Sequence, residues 1–385
     1  MPAPPDLTGE NSGKIEGRLS FLTASVERAF SVTEDSEDSR VIIITGKNHI
    51  SAVIDSCMVF PKALLKRIVI IPEPEARNTA PAIACCLLYL DWANRGLDRK
   101  ILVLTSDHII SPIEIFKKDA SAAAAFAQLD RLIVFGIPPV SANTGYGYIE
   151  TSDLLTVQRG RSADEQNNYE PLVFQTAGFK EKPDSQKAGE FLEAGNFYWN
   201  SGMFAFSHKF MLNEYKEKAR SLIEPFLIEL KDPSERSYRI QRGIRILDQW
   251  VNLETAYSRT EKISFDYAIA EKCGQTVMVR AAFDWIDVGS WDTYADLITA
   301  KNPDDPCEAE TPVTVNSEIF NTGSKNTFVD SDIPVALVDA DDLIIVIRSG
   351  KNSGPRAALV AKKGETQKVQ EIVRQIKESG NTGLL

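Results

Sequence analysis

Short β-branched runs that alternate with helix-length segments constrain this chain more than any other feature. Val41 to Thr45, Ile68 to Ile71, Ile101 to Thr105 and Leu132 to Phe135 are apolar and bounded by polar residues or glycine. Runs this short and this uniformly apolar read as parallel strands buried on both faces. Between them, Leu19 to Phe30, Ala80 to Asn94 and Ile113 to Gln128 have helix-favouring composition, and the alanines from Ala122 to Ala125 permit close packing on a sheet. The alternation predicts an α/β layered sheet with right-handed crossovers.

A chain of 385 residues exceeds the roughly 250 that one core usually serves, so one large domain with a smaller appendage is expected. From about Thr311 the texture changes. Pro312 to Val315, Asn326 to Val329, Ala336 to Val338 and Leu343 to Ile347 are strand-like and separated by Asn, Gly and Asp turns. They read as a small β-rich domain. It closes with a helix over Glu365 to Glu378, where Val369, Ile372, Val373 and Ile376 follow helical spacing. No tandem repeat is read. The expected division is a loose leader over 1–18, rich in Pro, Gly and polar residues, a main domain over 19–300 and the β-rich domain over 301–385.

The 43 Lys and Arg against 54 Asp and Glu leave a net charge of −11, a surface that repels phosphodiester polymers. Nucleic acid is therefore not an expected partner, although a locally basic pocket for a small anion is compatible with the total. No apolar run approaches the roughly 18 residues a membrane span needs. The N-terminus carries no apolar signal-like stretch, so a cytoplasmic protein without a membrane partner is expected. Cys57, Cys85, Cys86, Cys273 and Cys307 are scattered, odd in number and without Cys-x-x-Cys spacing. Neither a disulfide framework nor a zinc site is indicated.

Polar clusters at the ends of expected strands are where an open α/β sheet places ligands. In order they are Glu73 to Ala82, Thr105 to His108, Thr144 to Glu150, Lys180 to Pro183, Trp199 to Phe204 and Asp287 to Trp291. Asp107 and Asp287 read either as turn and cap formers or as two carboxylates that hold a hard divalent cation. Lys182 is a solvated lysine or a point charge for a phosphate. Glu181 and Asn200 are ordinary turn residues or an acceptor and donor pair suited to sugar hydroxyls. Gly145 and Gly147 form a plain hairpin or let backbone approach a ligand. Arg77 and Asn78 precede an Ala-rich helix whose first amides favour anions, and a simple N-cap is the alternative. His108 reads as a packed or capping histidine, with a supporting role beside Asp107 as the alternative. Among His49, His108 and His208 no nucleophile and base arrangement emerges.

Taken together, Arg77-Asn-Thr-Ala-Pro-Ala82, Thr144-Gly-Tyr-Gly-Tyr-Ile-Glu150, Glu181-Lys-Pro183, Trp199-Asn-Ser-Gly-Met-Phe204 and Asp287-Val-Gly-Ser-Trp291 resemble the mannose-1-phosphate guanylyltransferases. These belong to the sugar-phosphate nucleotidyltransferases, and the similarity runs from about Leu19 to the C-terminus. The resemblance implies a Rossmann-like sheet with helices on both faces, and formation of GDP-mannose and pyrophosphate from GTP and mannose 1-phosphate. It implies Mg²⁺ at Asp107 and Asp287, and sugar or sugar-phosphate contacts from Glu181, Lys182 and Asn200. Gly147 would face the sugar nucleotide, and Arg77 and Asn78 the guanine. A homo-oligomer is left open. No enzymatic nucleophile is needed, because a sugar 1-phosphate with a second pKa of about 6 is already largely dianionic at neutral pH. Alignment and charge neutralisation suffice.

The family pattern also opens with a buried strand and a loop of the form Gly-Gly-x-Gly-Thr-Arg-Leu-x-Pro. Residues 1–18 contain Gly9, Gly13, Gly17 and Arg18 but not that spacing. Three readings fit: an incomplete start to the reading frame, a chain lacking its beginning, or a homologue that binds the sugar nucleotide without catalysing. The missing strand would be central, so neighbouring sheet edges are expected to be unpaired. Thr105-Ser106 stands where the family has Pro-Ala, a change expected to be tolerated.

Overall fold

A computed structural model describes residues 20–36, 38–93, 97–155, 169–230, 236–300, 312–350 and 356–380. The leader expected over 1–18 and the junction expected near 301–311 lie outside the described residues. By backbone contacts the chain divides into Phe21–Trp285 and a unit that takes in Ile286 onward.

The larger unit begins with α1 (Phe21–Val32), β1 (Val41–Gly46), α2 (Ile50–Cys57), α3 (Lys62–Leu65), β2 (Ile68–Glu73) and α4 (Thr79–Ala93). Next come β3 (Lys100–Val103), β4 (His108–Ser111), α5 (Ile113–Ala127), β5 (Leu132–Ile137), β6 (Tyr148–Leu155) and β7 (Leu172–Lys180). They are followed by α6 (Ser185–Ala194), β8 (Phe197–Ser207), α7 (His208–Lys218), α8 (Arg220–Glu229), β9 (Arg236–Gln241) and β10 (Ile244–Trp250). The unit closes with α9 (Leu253–Arg259), a π-turn over Asp266–Ala270, β11 (Thr276–Arg280) and the start of β12 (Asp284–Asp287).

The four expected strands and three expected helices all form, but the sheet is mixed rather than all parallel. One sheet runs β1-β2-β10-β9 and the other β3-β8-β5-β11-β7-β6. β1 pairs with β2 and β5 with β11 in parallel, whereas β8 runs antiparallel to both β3 and β5. Antiparallel pairing also joins β7 to β6 and β11, and β8 to β6. β1 and β3 each end their sheet.

Alternation along the strands fixes what covers each face. In β2, Val69 and Ile71 join the core beneath α4, α7, α8 and α9, while Ile68 and Ile70 face the core formed with α1 and α2. In β5, Leu132 and Val134 join that first core, while Ile133, Phe135 and Ile137 pack with α5. Both sheets thus send residues into the core beneath α4. Nine of its side chains, from Ala80 to Leu90, are buried, as befits a helix apolar on nearly every side.

The unit from Ile286 onward contains α10 (Trp291–Ala300), β13 (Val313–Val315), β14 (Ile319–Thr322), β15 (Phe328–Ser331), β16 (Val335–Val338), β17 (Leu343–Ser349), β18 (Arg356–Lys362) and α11 (Val369–Glu378). It carries a repeat that the sequence reading missed. Val313 pairs with Phe328, Phe328 with Ile344, and Ile319 with Val335, all in parallel, so the chain winds in coils of 15 or 16 residues. Val329, Val335, Leu337 and Ile345 fill the coil.

Candidate functional site

The sequence-marked residues within Phe21–Trp285 gather in two groups. The first is built on β8. Its Asn200 donates a backbone hydrogen bond to the Gly147 carbonyl at 2.8 Å, which draws the Thr144–Gly147 turn against the strand. The approach leaves no room for a side chain: a Cβ on Gly147 would run into Glu181 Oε2. Gly147, Glu181 and Asn200, far apart in sequence, therefore meet. The Asn200 amide is engaged at both ends. Its Oδ1 accepts from Gly202 N at 3.1 Å, and its Nδ2 donates to Asp266 Oδ1 at 2.6 Å. The backbone donor at Gly202 fixes which end is oxygen. Gly202 has φ +70, a conformation that suits glycine and closes this tight loop.

Asp266 went unmarked in the sequence. It opens the π-turn at Asp266–Ala270, a rare backbone form that is frequent at functional sites. The only signal was an acid beside the apolar run Ala268, Ile269 and Ala270. Burial raises the Asp266 carboxyl above its usual range, and the Asn200 hydrogen bond pulls the other way. Glu181 is raised first by burial and then by the Asp266 carboxylate. Two half-desolvated acceptors beside a glycine shelf can receive hydroxyl hydrogens from a polyol. Lys182 adjoins them at φ +44, with its ammonium 4.0 Å from Glu181 Oε1 and its side chain 64% exposed. It is a solvated cation at the rim.

The loop at Arg77 and Asn78 meets this group through its neighbours. Thr79 Oγ1 accepts from Phe265 N at 2.8 Å, one residue before Asp266. Asn78, at φ +70, caps Thr79 N at 2.8 Å, and Ala80 N donates to the Ile263 carbonyl at 3.2 Å. Pro81 has no N–H. The first amides of α4 are thus occupied, and the anion reading of that helix start is corrected to a capped one. Arg77 donates to Glu75 Oε2 and to the Thr260 and Ser258 carbonyls, so its guanidinium braces the loop while Nε stays buried without a partner.

The second group surrounds Asp107. The sequence put this residue at a strand end, whereas β3 stops at Val103 and Asp107 lies in the connection just before β4. Trp285 Nε1, which can only donate, bonds His108 Nδ1 at 3.0 Å. Burial, and then Arg28, lower the His108 pKa to about 3, so the ring is neutral and its proton sits on Nε2. With that atom 3.9 Å from Asp107 Oδ1, the pair is no ion pair. Nor does Nε2 offer a lone pair, which leaves the Asp107 carboxylate as the hard oxygen donor here. Burial raises the Asp107 carboxyl, a cost that a cation would relieve. Asp107 thus fits a divalent ion, and His108 fits the supporting role. Tyr146 packs against both Trp199 and Trp285, at 5.2 and 5.3 Å between ring centroids, and so lines the space between the two groups. Asp287 ends β12 two residues beyond Trp285 and falls in the other unit.

Residues 28–302 match the nucleotidyl transferase family. The xanthan biosynthesis protein XanB of Xanthomonas campestris pv. campestris is 32% identical over 313 residues, 81% of this chain and 58% of that protein. The mannose-1-phosphate guanylyltransferase RfbM of Salmonella typhimurium is 30% identical over 380 residues, 95% of this chain and 67% of that protein. The chain thus spans roughly three fifths to two thirds of the length of these relatives. The solved structure of mannose-1-phosphate geranyltransferase from Thermus thermophilus superposes with a TM-score of 0.62 at 19% identity, covering 88% of this chain and 99% of that one. That likeness bears on the fold. Among the described residues no helix is long and apolar enough to cross a membrane.

Proposed function

The chain belongs to the nucleotidyl transferase family, and from that premise we propose that it joins the guanylyl group of GTP to mannose 1-phosphate, giving GDP-mannose and pyrophosphate. The observation that carries the reading is the convergence of Gly147, Glu181 and Asn200 on one shelf, with the Asp266 carboxylate behind Asn200. Glu181 and Asp266 would accept from sugar hydroxyls, Gly147 would let the ring lie against backbone, and Lys182 would meet the sugar phosphate. The Arg77–Asn78 loop would border the guanine.

Asp107 would hold Mg²⁺, which when bound supplies charge neutralisation for the triphosphate. The phosphate dianion of the sugar attacks the α-phosphorus in line, and the bond to the bridging oxygen breaks as pyrophosphate departs with its charge. No side chain has to act as nucleophile or base, which agrees with the neutral, tryptophan-bonded state of His108. The protein's share is alignment.

The test is pyrophosphate release from the 385-residue chain with each nucleoside triphosphate and sugar 1-phosphate pair, beside a GDP-mannose titration. Release confined to GTP with mannose 1-phosphate and dependent on Mg²⁺ is expected. Release with a different pair would overturn the substrate assignment. GDP-mannose binding without any turnover would favour a sugar-nucleotide-binding homologue.

A further inference from the structure

Helix α1 runs beneath the connection that carries Asp107, and two of its side chains bond that connection on either side of the aspartate. Ser25 Oγ donates to the Thr105 carbonyl at 2.9 Å, and Arg28 Nη2 donates to the His108 carbonyl at 3.0 Å. Three residues apart, Ser25 and Arg28 share one face of α1, and their acceptors lie two residues before and one after Asp107. We infer that Ser25 and Arg28 are positioning residues that set the place of the Asp107 carboxylate by gripping the backbone on both sides of it. The inference rests on the reading of Asp107 as a ligand for the nucleotide's metal ion.

The state of Arg28 argues against a plain packing role. Its residue is only 3% exposed, and Nη2 makes its one hydrogen bond, while Nε and Nη1 are buried without partners. Among the described residues no carboxylate pairs with it, and its charge faces the Phe116 ring at 6.0 Å. Taking a guanidinium out of water without a counter-ion is expensive. A leucine or methionine would fill the same space without that cost. What the guanidinium alone supplies is a rigid donor at the end of a long stem, delivered to one chosen carbonyl. Ser25, 7% exposed, likewise spends its hydroxyl on the loop.

The experiment uses the full chain with Ser25→Ala, Arg28→Lys and Arg28→Met. It reads amide hydrogen exchange at residues 106–108, the Mg²⁺ concentration for half-maximal pyrophosphate release, and GDP-mannose affinity without metal. In Arg28→Met, exchange at 106–108 should speed up at least tenfold while amides of β5 and β8 keep their rates. The Mg²⁺ requirement should rise about tenfold, with metal-free GDP-mannose affinity within twofold of the parent. Arg28→Lys, which retains a cationic donor, should recover part of both losses, and Ser25→Ala should show the same pattern more weakly. Unchanged exchange at 106–108 overturns the inference, as does a uniform loss of protection across β5 and β8 with all affinities falling together. If Arg28→Met does not fold, Ser25→Ala decides by the same readings. Should the parent chain show no Mg²⁺-dependent turnover, the functional proposal falls, and the exchange data still decide whether α1 holds the loop.

Discussion

The two groups of the candidate site are anchored in different ways. Around Asn200 the groups are borne by β8 and its neighbours: strand register brings Gly147 and Glu181 to fixed places, and the Asn200 side chain reaches Asp266 in its π-turn. Around Asp107 the backbone is a connection between β3 and β4, held by side chains that come from α1 and from Trp285. A sheet-borne group is placed by many backbone bonds, so damage to it should stay local. A loop-borne group depends on a few side chains far away in sequence, so it can be disturbed from a distance.

Substitutions at the two groups should therefore part company in what they change. Asp107→Asn is expected to have the largest effect, lowering pyrophosphate release by about 10²-fold or more, the scale of losing one electrostatic stabiliser of a transition state. GDP-mannose binding in the absence of metal should hardly move. Equal falls in a rate assay and a titration would break the distinction between the groups.

At the other group, Gly147→Ala forces a methyl against Glu181. Overpacking of about 1 to 3 kcal/mol corresponds to roughly 5- to 150-fold weaker GDP-mannose binding. Calorimetric titration would show it, and a change below about threefold would mean that Glu181 swings aside freely.

Asn200→Ala and Lys182→Ala sharpen the comparison within the sugar group itself. By charge alone Lys182 would matter more, since charge-assisted contacts exceed neutral ones. The structure reverses that order, because the Lys182 side chain is 64% exposed and screened by water, whereas Asn200 satisfies the half-buried Asp266 carboxylate at 2.6 Å. The same titration should give about a tenfold loss for Asn200→Ala and about threefold for Lys182→Ala. A larger loss at Lys182 would restore the point-charge reading.

How much of this was legible beforehand differs by element. Val41–Gly46, Ile68–Glu73, Lys100–Val103 and Leu132–Ile137 announced themselves as short apolar runs; Ile68–Glu73 and Leu132–Ile137 are buried on both faces and must be apolar throughout, whereas Val41–Gly46 and Lys100–Val103 are only partly buried. The antiparallel β6 and β7 did not, since each has exposed positions, β6 mixing Glu, Thr, Ser and Asp with its apolar residues and β7 mixing Gln, Thr and Lys. Gly147, Glu181 and Asn200 stood out as motif residues, yet their meeting depends on register, which no local spacing specifies. Asp266, Ser25, Arg28 and Trp285 act through partners 66 to 177 positions away and carry no local mark. The coil repeat was visible in principle. Gly323 and Asp339 share a left-handed backbone 16 residues apart, and so do Asn326 and Asp342. What repeats is turn chemistry at a fixed spacing, with apolar residues that vary around it.

The last expected effect, on stability and not on activity or binding, concerns Asp119. Asp119, fully buried on α5, accepts from the Tyr169 hydroxyl at 2.6 Å and from Ala282 N at 3.1 Å, three residues before Trp285. Burial pushes its carboxyl up to about 6 from the usual 3.8, against the pull of those two bonds. The folded chain therefore holds a proton between about pH 4 and 6 that the unfolded chain has released. A carboxyl raised in this way favours the fold most below about pH 4, and its contribution declines as pH rises through about 6. Since a tenfold change in proton affinity corresponds to about 1.4 kcal/mol, the swing is at most roughly 3 kcal/mol. Asp119→Asn removes the titration while keeping an oxygen for Ala282 N and an amide for the Tyr169 oxygen. The parent's melting temperature, measured relative to this variant, should be higher by a few degrees at about pH 4.5 than at about pH 7.5. GDP-mannose affinity, which depends on the β8 group, should not distinguish the two chains at either pH. A flat difference in melting temperature would mean that Asp119 is ionised throughout. A parallel change in GDP-mannose affinity would mean that the two groups are mechanically coupled after all, and that the contrast between a sheet-borne and a loop-borne group does not hold.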